Sequence, residues 1–312
     1  MREFAITTTQ LTEIVRHPGE KRGIRLFLKR DDLLHPTIQG NKWRKLHLLL
    51  ESLRAQQIAG ILSFGGAFSN HLHAVAAAGK EFGFHTLGIL RGSSLDLENP
   101  TLQFAQSCGM HLIPVPKKVY DLGLDAPEIQ AIIQQFPNYY VLPEGGATRL
   151  GVLGCLGIGQ EILNEMQELR TTHVCVPAGT GSTAAGTLAG MRGKGQLWVF
   201  PAAKYGVDAE KIRDLCTLAD LPVYENFDLI TAYHFNGFAN MPDDLRDFVV
   251  DFQQHTSILL DPIYTAKMMF GIFDLLEKDF FAPNAQVVAL HTGGLQGWDG
   301  FRYRFGPEII GL

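Results

Sequence analysis

No run of about 18 or more apolar residues occurs in the chain, so no segment has the length of a membrane-spanning helix. The amino-terminal stretch MREFAITTTQLTEI lacks the apolar core of a secretory signal, and a soluble, cytoplasmic protein is expected. Cysteine is scarce. Cys108, Cys155, Cys175 and Cys216 are the only four, spaced too widely for a CxxC zinc or redox pair, and they read as reduced core thiols. An excess of positive charge is missing as well. With 27 Lys+Arg against 32 Asp+Glu the net charge is −5, which leaves no basic field for nucleic acid or an anionic membrane. Nor is there a low-complexity linker or an internal repeat. What is present is a 312-residue chain, 46% hydrophobic, longer than the size at which a single core stops growing. Two domains and a small-molecule ligand are expected.

Short β-type runs alternate with longer helical patterns. Gly23–Arg30, Gly60–Phe64, Thr86–Leu90, His111–Val115 and Tyr139–Pro143 read as strands in the first half. His173–Pro177, Leu197–Phe200 and Val287–His291 follow in the second. Helices are expected after Lys42, from the loop at Ser69 to about Phe82, over Thr101–Ser107, and from Ala147 to about Leu169. Others are expected over Ala184–Met191, Asp243–Gln254 and Tyr264–Glu277. Apolar strands alternating with helices imply an α/β fold with mostly parallel sheets, helices on both faces and right-handed crossovers.

The octet Gln39-Gly40-Asn41-Lys42-Trp43-Arg44-Lys45-Leu46 places a lysine directly behind a Gly-Asn turn, where a helical apolar period begins. The positive end of a helix dipole disfavours an ammonium, so Lys42 would lose its proton more readily and could form a Schiff base. A solvated surface lysine is the plainer reading of the octet alone. The loop Ala178-Gly179-Thr180-Gly181-Ser182-Thr183 stands between a strand and a helix and suits a phosphate, with backbone N–H groups and hydroxyls as donors. It also fits GxGxxA, yet the strand Leu197–Phe200 ends in Pro201-Ala202-Ala203-Lys204, with no acid to hold a dinucleotide ribose. A glycine loop that only turns the chain is the third reading. A Schiff-base lysine, a lone-phosphate loop and an α/β fold together suggest pyridoxal 5′-phosphate (PLP), whose ring is an electron sink.

Lys29-Arg30-Asp31-Asp32, the lysine octet, Gly65-Gly66-Ala67-Phe68-Ser69-Asn70-His71, Asp261-Pro262-Ile263-Tyr264 and His291-Thr292-Gly293-Gly294 occur in order along nearly the whole chain. Together they closely resemble the 1-aminocyclopropane-1-carboxylate (ACC) deaminase and D-cysteine desulfhydrase family, of the tryptophan-synthase-β fold type (fold type II) of PLP enzymes. The resemblance implies that Lys42 carries the cofactor and moves the Cα proton. It implies that Asn70 bonds the cofactor's 3′-oxygen and that Ser69 binds the substrate carboxylate. Gly179, Thr180, Gly181, Ser182 and Thr183 would cradle the phosphate, and Thr292 would lie near the pyridine nitrogen. Residues 47–160 would form a smaller α/β domain, with 1–46 and 161–312 forming a larger PLP-binding domain, in a homodimer.

His71, Thr265 and Thr292 match the desulfhydrase pattern, where deaminases carry Gln, Glu and Leu. Phe238 stands where both subgroups carry a second active-site tyrosine, and Tyr233 could replace it only by a shift of register. The resemblance therefore implies a PLP-dependent lyase acting by β-elimination on a D- or β-substituted amino acid, giving pyruvate, ammonia and the leaving group. Tyr264 would act as an acid or orienting group; alone it also reads as a core tyrosine bonded to a carbonyl. The substrate side comprises Ser69, Asn70, His71, Phe238 and Tyr264. ACC deaminase, cysteate-type lyase and racemase activities are variants. A nicotinamide-dependent oxidoreductase and a catalytically silent PLP- or amino-acid-binding protein are the readings of other classes. His71 and His73, two apart on a helix, diverge and make no metal pair, and His291 reads as a structural hydrogen-bonder.

Overall fold

Ile61, Leu62, Leu87, Ile89 and Val174 have no exposed surface, as residues of strands covered on both faces must. They belong to two sheets in the computed structural model, which describes residues 4, 6–166, 172–204 and 206–309. In chain order, β1 (Leu11–Ile14) and β2 (Arg25–Lys29) precede the lysine helix α1 (Asn41–Ala55). Then come β3 (Gly60–Gly65), α2 (Asn70–Phe82), β4 (His85–Arg91), α3 (Pro100–Ser107), β5 (His111–Val115), α4 (Lys117–Tyr120), α5 (Pro127–Gln134) and β6 (Tyr139–Leu142). The second half runs α6 (Arg149–Glu165), β7 (Thr172–Ala178), α7 (Ser182–Met191), β8 (Gln196–Pro201), α8 (Ala209–Leu218) and β9 (Phe227–Leu229). It closes with α9 (Asp243–Thr256), α10 (Thr265–Glu277), β10 (Gln286–Leu290) and α11 (Gly297–Phe305).

One sheet has six strands in the order β1-β2-β10-β7-β8-β9, the other four in the order β5-β4-β3-β6. Every pairing is parallel except β1 with β2, which is antiparallel at the edge of the larger sheet. This is the α/β, mostly parallel architecture expected. The strand β1 was not foreseen, because four residues reading LTEI carry no sustained pattern. The expected end of α6 at about Leu169 lies outside the described residues.

The two-residue period of a strand divides the large core. Leu26, Leu28, Val287 and Ala289 pack on one side with Met268, Met269 and Ile272 of α10. Phe27, Val288 and Leu290 pack on the other with Val152, Cys155 and Ile158 of α6 and Ala185 and Leu188 of α7. A buried aliphatic side chain of this kind stabilises the fold by about 1.5–3 kcal/mol. Trp43, Leu46, Leu49, Leu50 and Leu53 of α1 instead pack with Ile61, Leu72 and Val75 of the small sheet's layer, so α1 carries the lysine on the seam between the sheets. We propose a small unit centred on the four-stranded sheet, within the expected 47–160; α1 enters it across Leu46 and His47, and α6 leaves it for the large core.

The carboxyl ends of β3, β4, β6, β7 and β10 meet at one cavity of about 500 Å³, lined by Ser69, Arg91, Glu144, Gly179 and Thr292 among others. In open parallel sheets that edge is where ligands bind.

Candidate active site

The lysine turn is fixed by backbone fit. Gly40 has φ +57°, and a β-carbon on it would stand 1.9 Å from the Thr292 carbonyl oxygen. That oxygen accepts from the Asn41 N–H at 3.2 Å. Gln39 Oε1 accepts from the N–H groups of Gly294 and Leu295, both at 3.1 Å, and locks the second loop to the first. The Asn41 side chain donates to Thr183 Oγ1 at 3.0 Å and brings in a third. Because α1 starts at Asn41, Lys42 lies in its first turn, with Nζ 3.2 Å from Asn41 Oδ1.

Burial, and then the charge of Lys45 one turn on, lower the Lys42 amine to about 7. The helix dipole invoked from the sequence acts in the same direction, but removal from water is the larger cause. Lys45 is itself buried, its charge also disfavoured by burial, with Nζ donating to the Gly145 carbonyl at 3.0 Å. Behind the lysines, Arg44 bonds Asp31 Oδ2 at 2.8 Å and Glu161 Oε1 at 2.6 Å, and Lys29 reaches Glu161 Oε2 at 2.6 Å. Burial pushes the Glu161 carboxyl up, but the bonds from Arg44 and Lys29 outweigh it and hold the group below its ordinary value.

Gly179, Thr180, Gly181 and Thr183 line the cavity opposite. Gly181, with φ +90°, is the residue before α7 and supplies no side-chain cap, so the first N–H groups of that helix are open to an anion. Ser182 does not line the cavity. It is fully buried, and its Oγ has no hydrogen-bond partner among the described residues. A β-carbon on Gly179 would come within 3.2 Å of the Tyr264 hydroxyl, so a larger residue would fill the cradle. Positive helix end, hydroxyls, small residues and a lysine of reduced basicity are the donor set a phosphorylated aldehyde requires.

Ser69 caps α2, its Oγ accepting from the Leu72 N–H at 3.2 Å. Asn70 is held by Gln296, which donates to its Oδ1 at 3.0 Å. His71 is buried, and burial first, then Lys42 and Lys45, keep its imidazole neutral. Ser63 Oγ lies 2.9 Å from His71 Nε2 and donates to the Leu142 carbonyl at 2.8 Å, which leaves it to accept from Nε2–H. His73 points elsewhere and stacks on Phe104 at 3.8 Å. Tyr264 sits just before α10, where Asp261 accepts the N–H groups of Ile263, Tyr264 and Thr265. Burial, then the Asp261 and Glu144 carboxylates, push its phenol up, so it keeps its proton.

The Phe238 ring lies 5.9 Å from that of Tyr264 and lines the cavity. Tyr233 does not replace it: its hydroxyl bonds Asp274, and its ring packs where a β-carbon on Gly271 would go. Thr292 lines the cavity, whereas Thr265 is fully buried beside it with Oγ1 unpartnered among the described residues. His291 is structural, with Nε2 2.9 Å from the Leu259 carbonyl and Nδ1 accepting from Gly293 N–H. The sequence reading missed Gln39, Lys45, Arg91, Glu144, Gln296 and Arg304, all of which line the cavity. Gln39 and Lys45 share the octet with Lys42, and the position of Lys45 one turn on was the available signal; the other four carry no local motif.

Two α/β sheets whose strand ends meet at one cavity, with a lysine of reduced basicity on one wall and an open helix start on the other, define the class: an α/β enzyme of the kind that uses a phosphorylated cofactor. The profile of the pyridoxal-phosphate dependent enzymes matches residues 3–293, and the chain belongs to that family; its cofactor is PLP. It is similar to a putative ACC deaminase of Pyrococcus abyssi, 27% identical over 93% of this chain and 89% of the relative. It is also similar to the D-cysteine desulfhydrase of Klebsiella pneumoniae, 28% identical over 87% of each chain. The mitochondrial bifunctional D-cysteine desulfhydrase/ACC deaminase of Arabidopsis thaliana is 26% identical over 90% of this chain and 75% of its own. The crystal structure of an ACC deaminase homologue superposes with a TM-score of 0.82 at 24% identity, over 97% of this chain and 93% of that one.

Proposed function

We propose that the protein is a PLP-dependent lyase of the D-cysteine desulfhydrase type, eliminating the β-substituent of a D-configured or β-substituted amino acid to give pyruvate, ammonia and the leaving group. One observation carries this reading: the Lys42 amine, the Ser69 helix end and the protonated Tyr264 hydroxyl open on a single cavity. PLP supplies the electron sink when bound. The rest is the work of the chain.

The N–H groups at the start of α7, with the hydroxyls of Thr180 and Thr183, would hold the phosphate, while the Ser182 hydroxyl stays buried behind them. Asn70, fixed by Gln296, would face the cofactor's ring oxygen. Ser69 and the first N–H groups of α2 would take the substrate carboxylate and so set which bond at Cα is aligned for cleavage. Lys42, its basicity lowered by burial, can take the Cα proton and return it. Tyr264 would protonate or orient the leaving atom. Thr292 is neutral and offers no carboxylate to keep a ring nitrogen protonated, which suits elimination. His71, Thr265 and Thr292 agree with the desulfhydrase pattern, and Phe238 removes a hydroxyl from the wall that faces Tyr264. A cytoplasmic homodimer is the assembly we propose from the family resemblance. Among the described residues, no helix is long and apolar enough to cross a membrane.

The test is the visible absorbance of purified wild type and Lys42→Ala, before and after borohydride, followed by D-cysteine, L-cysteine and ACC. A band fixed by borohydride in wild type alone, with pyruvate released from a cysteine enantiomer, supports the proposal. An unchanged band, with no pyruvate from either enantiomer or from any other β-substituted alanine, overturns it.

A further inference from the structure

Two basic side chains of the cavity, the exposed Arg91 and Arg304, are not needed by the cofactor or an ordinary amino acid. Lys42, Lys45, Arg91 and Arg304 line the cavity, against one acid among the described lining residues, Glu144. Glu144 is occupied on its own side, its Oε2 accepting from the Tyr120 hydroxyl at 2.9 Å. The two lysines stand on α1. The two arginines come from the other direction, and both flank the loop that leads into Ser69.

Arg91 ends β4, the neighbour of β3, and its Nη2 lies 3.7 Å from where a β-carbon on Gly66 would be. Its guanidinium sits 5.8 Å from the centre of the Tyr120 ring. Arg304 lies in the last turn of α11, 5.6 Å from the centre of the Phe68 ring. These aromatic contacts leave the N–H donors of the two guanidiniums unused. Neither has a carboxylate within ion-pair distance among the described residues. Arginine is the side chain that recognises planar or tetrahedral oxyanions with paired N–H donors. The phosphate has its own cradle at Gly179–Thr183, and the α-carboxylate has the start of α2. The arginines are left for a second anion.

We infer that Arg91 and Arg304 select amino acids whose β-substituent is itself an oxyanion, a sulfonate or a phosphoryl group, held beside residues 66–69. This rests on the lyase reading above and names its substrate class. The step balances without oxidant. The Cα proton passes to the Lys42 amine, the electron pair left behind forms the Cα=Cβ bond, and the Cβ–S or Cβ–O bond breaks with its pair leaving on sulfite or phosphate. The enamine released takes up water and yields pyruvate and ammonium. A β-carboxylate would be bound in the same way but cannot depart with the pair, which makes aspartate a probe of binding alone.

The experiment compares holoenzyme wild type, Arg91→Gln, Arg304→Gln and the double variant. Pyruvate formation is followed from both enantiomers of cysteate and O-phosphoserine, and from β-chloroalanine as the substrate with an uncharged β-substituent. Wild type should favour one oxyanion substrate, and the release of sulfite or of phosphate shows which. In the double variant the ratio of kcat/KM for that substrate to kcat/KM for β-chloroalanine should fall by roughly tenfold to a hundredfold, mostly through KM, as loss of charge-assisted hydrogen bonds predicts. An unchanged ratio overturns the inference, as does a wild-type preference for β-chloroalanine. Aspartate titrated against the visible spectrum separates the two readings. If no β-substituted alanine gives pyruvate, the lyase reading falls. If the double variant then still needs tenfold more aspartate for the same spectral change, the arginines' role in binding an anion stands; if it needs no more, that falls too.

Discussion

Lys42 is held in a place where its charge is unwelcome, and the cost appears in the protein without cofactor. Its folded amine titrates near 7, whereas an unfolded lysine titrates at about 10.4. Between these values the folded state holds fewer protons, so stability rises with pH; below about pH 7 both states are charged and the full penalty applies. Lys42→Met, stripped of cofactor, should therefore melt above stripped wild type at about pH 6.5. The gap should close as pH approaches about 10, which melting curves across that range will show. The Tyr264 hydroxyl keeps its proton at neutral pH, so Tyr264→Phe should lower kcat by about a hundredfold or more while KM moves little, the range for loss of a general acid. Phe238 offers only a ring where the resemblance expects a hydroxyl. Wild type should form no 2-oxobutyrate from ACC, and a coupled assay with a dehydrogenase will detect any.

At the scale of elements, α1 is the joint. Its apolar face packs with the small sheet's layer, while Arg44 ties its other face to Asp31 and, on α6, to Glu161. Removing one partner from a buried charge cluster strands the rest, so Arg44→Met should destabilise the protein by about 3–5 kcal/mol, read as a lower urea midpoint with an unchanged slope. The start of α1 could be read because a glycine turn followed by an apolar period is a local signal. So was α10, whose Asp261 accepts three successive N–H groups. Other elements escaped for physical reasons. In α8 the buried Ile212, Leu215 and Cys216 follow a helical spacing behind the capping Asp208, a signal that was there to use. In α11, Gly297 and Gly300 mask the helical pattern. Gly300 is required from outside the helix, since the Phe68 ring lies 2.7 Å from where its β-carbon would be.

Across the whole molecule, the cavity is built by loops from both sheets, and a cofactor seated there would bridge them. PLP present at about 100 times its dissociation constant should add about 2.7 kcal/mol to stability, a rise in melting temperature that Lys42→Met largely abolishes. The alternation of the main strands and helices, the free cysteines, the lysine turn, the glycine loop before α7 and the Ser69 helix start followed from the sequence, because each is set by neighbours within a few residues. The convergence did not. Asn41 and Thr183 meet although 142 positions separate them, and Asn70 and Gln296 are 226 apart. Arg91, Glu144 and Arg304 sit in no motif; they come together only because the carboxyl ends of β4 and β6 and the last turn of α11 open on the same space. Local backbone preference places a residue on its element, whereas packing of the two sheets decides which elements face one another, and the chemistry of the cavity depends on that second choice.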